Sequence, residues 1–103
     1  MTLKGPPGAL AALVATFLTN APSLLSQMEQ ALQSGQQELL QRAAHTLKSN
    51  AASFGAAALA ETCRALEYQA RDGNLEDAAE RIAAARGHLA DIEPALTALA
   101  SER

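Results

Sequence analysis

The stretch NLEDAAERIAAARGHLADIEPALTAL, residues 74–99, carries the clearest periodicity in the chain. Leu75, Ala78, Ile82, Ala85, Leu89, Ile92, Leu96 and Leu99 recur at alternating steps of three and four, the spacing of one helix face. Asn74 is placed to cap this helix, with Glu76 and Asp77 in a first turn where the macrodipole favours acids. Pro94 interrupts the run without shifting its phase, which predicts a kink. A seam this continuous needs apolar faces opposite it.

Three upstream segments supply them. Leu10, Val14, Phe17, Ala21, Leu24, Met28 and Ala31 form a first stripe that keeps phase across Pro22, so the segment is either one bent helix or a short helix followed by a longer one. Gly35 ends it. A second stripe, Leu40, Ala43, Leu47, Ala51 and Phe54, lies within a helix over about 36–54 that stops at Gly55. A third, Leu59, Cys63, Leu66 and Ala70, lies within 56–72 and stops at Gly73, with Glu67 and Arg71 as a solvated i,i+4 pair on its flank.

Composition agrees. Of 50 apolar residues among 103, 25 are Ala and 16 Leu, against three Val or Ile and three aromatics, so strong helix formers dominate and sheet formers are scarce. The expected fold is all-α: an antiparallel up-down four-helix bundle, its first helix kinked or split at Pro22. Residues 1–7, with Gly5, Pro6 and Pro7, read as a flexible leader, and residues 8–103 as a single domain.

The same counts exclude several functions. A net charge of −3, without a basic run or interleaved aromatics, gives nucleic acid nothing to bind. The lone Cys63 can form neither an internal disulfide nor a zinc motif, which suits a reducing compartment. The apolar run from Ala9 to Leu18 falls short of the roughly 20 residues a membrane span needs. Pro22 directly after the small-residue site Ala21 argues against a signal peptide. A chain this short also disfavours a deep, enclosed active site.

His45 is the residue that faces the wrong way. It lies roughly 150 to 160° around its helix from the centre of the Leu40, Leu47 and Phe54 stripe, so it points to solvent. Glu38, Gln41, Lys48, Ser49 and Ala52 share its face. Helical side chains lean toward the N-terminus, which tilts Lys48 and Ser49 back over His45. A neutral imidazole can attack phosphorus through a ring nitrogen, and a cation one turn on can offset the charge of about −2 that a phosphoryl group brings. The face shows no second carboxylate, metal-ligand cluster or glycine-rich phosphate loop, so a partner must bring the donor and the ion.

The stretch from Ala44 to Ala56, AHTLKSNAASFGA, followed by Leu59, Cys63, Leu66-Glu67 and Arg71-Asp72-Gly73, closely resembles the histidine-containing phosphotransfer (HPt) domain of bacterial two-component phosphorelays. Phe17-Leu18, Ala21-Pro22 and Leu24 are similar to that family's first long helix, and the likeness covers about residues 9–100. It implies a four-helix bundle whose His45 takes a phosphoryl group from the aspartate of one receiver domain and passes it to another. Lys48 would stabilise the group, and Glu38, Gln41, Ser49 and Ala52 would form the receiver-docking surface. The chain would hold no cofactor or metal of its own, the Mg²⁺ lying in the receiver. The implied partners are receiver domains of a hybrid sensor kinase and of a response regulator. The chain would be a monomer in the cytoplasm, or a cytoplasmic domain of a membrane-bound sensor kinase, without ATP-dependent kinase activity or membrane contact. Ser49 departs from the glycine many members carry, which bears on partner choice.

Two other readings fit the same residues: direct phosphorylation by a kinase's ATP-binding domain, and a helical docking module in which His45 is idle. His88 reads as a solvated surface residue, Cys63 as a small buried hydrophobe and Met28 as core filler.

Overall fold

The computed structural model describes residues 8–101; the leader expected over residues 1–7 lies outside them. The order is α1 (Ala9–Gln33), α2 (Gln37–Ser53), α3 (Ala57–Asp72) and α4 (Ala78–Ser101). Short loops make consecutive helices antiparallel neighbours, and α4 returns to pack on α1. Among the described residues the backbones of α1 and α3, and of α2 and α4, do not come close, so each helix has two neighbours and the four form a closed ring around one core.

The first two turns and the end of α3 share one device. Gly35, Gly55 and Gly73 have φ near +70°, and the residue after each donates back across five positions, as Gln36 to Ala31, Ala56 to Ala51 and Asn74 to Gln69 at 2.8 to 3.0 Å. This is the Schellman arrangement, in which a left-handed residue lets the chain satisfy the last helical carbonyls before reversing. One expectation is corrected at α4. The helix begins at Ala78, four residues after Asn74, so Asn74 stands too far upstream to cap it. Residues 74–77 form a turn, the Asp77 carbonyl accepts the first helical bond from Arg81 at 3.0 Å, and Glu80 rather than Glu76 occupies the first helical turn.

Of the two arrangements expected for the first segment, the single helix is found. Pro22 is exposed, and its missing N–H leaves the Leu18 carbonyl without its helical backbone donor. Pro94 is accommodated in α4 in the same way. At 25 residues and a mean hydropathy reaching 1.5, α1 is by length and composition alone apolar enough to cross a membrane, longer than the run to Leu18 suggests. Its Val14, Phe17, Ala21, Leu25, Met28 and Ala31 are instead buried in the bundle.

The core is built from Leu25, Met28, Leu40, Leu47, Leu59, Leu66 and Ile82, with small Ala43, Ala44, Ala51, Ala70 and Ala85 letting the helix axes approach. Burying each large side chain contributes about 1.5 to 3 kcal/mol. Six stripe positions are not fully buried: Leu24, Phe54, Leu75 and Ile92 are half-buried, and Leu10 and Leu99 are exposed. Leu25 is fully buried and Leu24 only half-buried, because α1 packs against α2 and α4 at once and needs a broader apolar face than a single seam. Leu10 and Leu99 are exposed, since α1 and α4 are about eight residues longer than α2 and α3 and their far ends overhang the bundle. Phe17 and Phe54, with ring centroids 5.0 Å apart, close the core below that overhang. On the α1–α4 seam, Arg86 Nε and Nη2 donate to the two Glu29 carboxylate oxygens at 2.9 Å each.

Candidate functional site

His45 lies in the third turn of α2, one residue after the fully buried Ala44. That register holds its backbone rigidly while 58% of the side chain stays exposed. The outward direction read from helical angle is found.

The α3 side of the site was not anticipated. Glu67 points across the α2–α3 interface with only 9% of its side chain exposed. Its Oε2 lies 2.9 Å from His45 Nδ1, its Oε1 lies 2.7 Å from Lys48 Nζ, and Arg71 Nη2 approaches Oε2 at 3.9 Å. Two sequence-based statements are thereby corrected: Glu67 is not a solvated partner of Arg71, and a carboxylate does stand beside His45. The signal was present, because Glu67 falls four residues after Cys63 and one after Leu66, in phase with the α3 stripe. A carboxylate in phase with a core must be paired to be tolerated there.

Burial on its own pushes the Glu67 carboxyl up, but the contacts with Lys48 and His45 outweigh it and hold the group below its usual value. Glu67 is therefore ionised at neutral pH and can only accept hydrogen bonds. That fixes the proton of a neutral His45 on Nδ1, where it is donated to Glu67, and leaves the Nε2 lone pair facing outward.

A shallow concavity of about 260 Å³ opens on this ring, lined by Glu38, Gln41, Arg42, His45 and Glu67. Glu38 and Gln41 thus join His45 as the helical face suggested, while Arg42 was not singled out from sequence. Lys48 is half-buried and directed to Glu67. Ser49 and Ala52 are exposed farther along α2, and the Ser49 carbonyl accepts from Ser53 Oγ at 3.1 Å. Cys63 is buried, with its thiol pushed up to about 12 by burial, so it carries no thiolate at neutral pH. His88 is half-buried in α4, less exposed than a fully solvated residue.

The family model of the Hpt domain matches the chain over residues 12–102. The chain belongs to the Hpt family. It is similar to the crystal structure of histidine-containing phosphotransfer protein B from Pseudomonas aeruginosa, with a TM-score of 0.84 and 29% identity over 89% of this chain and 81% of that one. No curated protein sequence matches. The family and the structural match make the chain a phosphotransfer carrier in two-component signalling, a class that carries phosphoryl groups and is not a kinase.

Proposed function

We propose that His45 Nε2 is the phosphoacceptor, taking the group from the phosphorylated aspartate of one receiver domain and delivering it to the aspartate of another. The observation that carries this reading is the Glu67 contact at His45 Nδ1, which leaves an unprotonated nitrogen on the open side of the ring.

In the forward step the Nε2 lone pair attacks phosphorus while the bond from phosphorus to the aspartyl oxygen breaks. The electron pair leaves with the receiver's carboxylate. No proton moves. The product ring keeps its Nδ1 proton and becomes a phosphorylated imidazolium, whose positive charge faces the Glu67 carboxylate. Lys48 offsets the anionic charge gathered at the site. The reverse step returns the phosphoryl group to a second receiver by the same path.

Because the chain positions a nucleophile but no donor, the receiver supplies Mg²⁺ and the acyl phosphate. It docks over Glu38, Gln41, Ser49 and Ala52, the first two bordering the His45 concavity and the others being small and exposed. The natural partners are then receiver domains of a hybrid sensor kinase and of a response regulator. The carrier acts as a cytoplasmic monomer.

The test mixes the chain with a phosphorylated receiver domain and Mg²⁺. The expected product is an acid-labile, base-stable phosphoryl group that mass spectrometry maps to His45 and that His45→Ala does not accept. Labelling that persists in His45→Ala, or maps to His88, overturns the assignment.

A further inference from the structure

Most cations near the site are already engaged. Lys48 is held by Glu67 at 2.7 Å, Arg64 by Glu61, and Arg71 stacks its guanidinium 4.9 Å from the Tyr68 ring centre while approaching Glu67. Arg42 is different. It lines the His45 concavity, is exposed, and forms no ion pair among the described residues, not even with Glu38 one turn before it.

Its register matters. Arg42 stands three residues before His45, about 60° around the helix, and side chains of α2 lean toward the N-terminus. Lys48, one turn on, tilts back toward the ring but is held by the Glu67 carboxylate on the Nδ1 side. A group on Nε2 grows outward over the concavity that Arg42 borders. A guanidinium offers paired N–H donors that match two phosphoryl oxygens, a geometry an ammonium cannot supply.

We propose that Arg42 is the cation that contacts the phosphoryl group once it is on His45 Nε2, with Lys48 acting mainly through Glu67. The proposal rests on His45 being the acceptor, and the experiment separates the two. Parent, Arg42→Ala, Arg42→Lys and His45→Ala chains are treated with potassium phosphoramidate, whose P–N bond breaks with loss of ammonia as the bond to Nε2 forms. The phosphohistidine is then titrated by ³¹P NMR. A cation at the phosphoryl oxygens favours the dianion, so Arg42→Ala is expected to raise the midpoint by roughly 0.3 to 0.7 pH units, a two- to fivefold change in proton affinity typical of an exposed ion pair. Arg42→Lys is expected to restore part of it, and the difference is expected to shrink in high salt. A phosphohistidine in Arg42→Ala that titrates as in the parent overturns the role of Arg42. Absence of parent labelling, or labelling that survives His45→Ala, overturns the acceptor assignment and the Arg42 role with it.

Discussion

Lys48 Nζ and Glu67 Oε1 stand 2.7 Å apart across the α2–α3 interface, and the other oxygen of the same carboxylate meets His45. One buried acid thus ties together two residues that the helical pattern of α2 places on a solvated face. The pairing gives Lys48 two tasks at once, keeping Glu67 ionised where burial opposes it and adding positive charge behind the imidazole. It also makes the orientation of His45 depend on α3, so the nucleophile is positioned by tertiary packing and not by α2 alone.

Replacing Glu67 with glutamine is expected to keep the fold and slow transfer on the order of tenfold, the loss of a charge-assisted hydrogen bond worth about 1.4 kcal/mol. The amide can accept from Nδ1 or donate to it, so the imidazole loses its single tautomer. Nitrogen-15 NMR of the ring is expected to move from one dominant Nδ1–H form toward a mixture. An unchanged tautomer with an unchanged rate would remove Glu67 from the mechanism.

The same carboxylate makes a pH prediction. Its folded pKa lies below the ordinary glutamate value of 4.5, so its favourable contribution is complete above that value and is lost as pH falls through the lower folded one. Urea melts of the parent and Glu67→Gln are expected to differ most near neutral pH and to converge in acid. A gap that widens in acid contradicts the sign.

For Lys48→Ala, the carboxylate remains buried with His45 and the more distant Arg71. A cost of about 1 to 2 kcal/mol is expected, with a melting temperature lower by several degrees. Transfer slows without being abolished, because the nucleophile is intact. Transfer at the parental rate together with an unchanged melt would make Lys48 a mere solvated lysine.

How much of this was legible in the sequence differs by element. The four helices and the outward angle of His45 follow from spacing and from three glycines, which are local features. Glu67 was within reach, since it shares the α3 phase, but its partners come from another helix, and pairing in space leaves no trace in a single helical pattern. The start of α4 was misread because the chain makes one more turn after Asn74: the Ala78 N–H donates to the Leu75 carbonyl, and the helical bonds begin only at the Asp77 carbonyl. Arg42 was passed over because a charge on an exposed face is common, and only the concavity around His45 distinguishes it.

Gly55 offers a test of the turn separate from the chemistry. Its φ is +70°, and a Cβ added there would meet nothing within 4 Å. Gly55→Ala therefore bears a backbone penalty without a steric one, about 1 to 2 kcal/mol, and thermal unfolding is expected to fall by about 4 to 8 °C for each kcal/mol. Transfer per folded molecule should match the parent. A melt that does not change would show that the α2–α3 turn can relax out of the left-handed region without cost.

Ser49 tests the docking face. It is exposed one turn after His45, and its hydroxyl makes no hydrogen bond among the described residues, so the folded chain does not use it for support. Its side chain leans toward the imidazole, within the footprint a receiver must cover to bring its aspartate in line with Nε2. Small size is the requirement there. Ser49→Gly is expected to preserve transfer while costing about 0.5 kcal/mol of helix stability. Ser49→Leu and Ser49→Arg are better helix formers, so their melts should hold or rise while receiver transfer slows. Phosphoramidate separates approach from reactivity, since a small donor needs no docking surface: both bulky variants should still accept phosphoryl from it at close to the parental rate. If they also exchange with a receiver as fast as the parent, the receiver does not dock over Ser49, and the surface must be sought on the Glu38 and Gln41 side of His45.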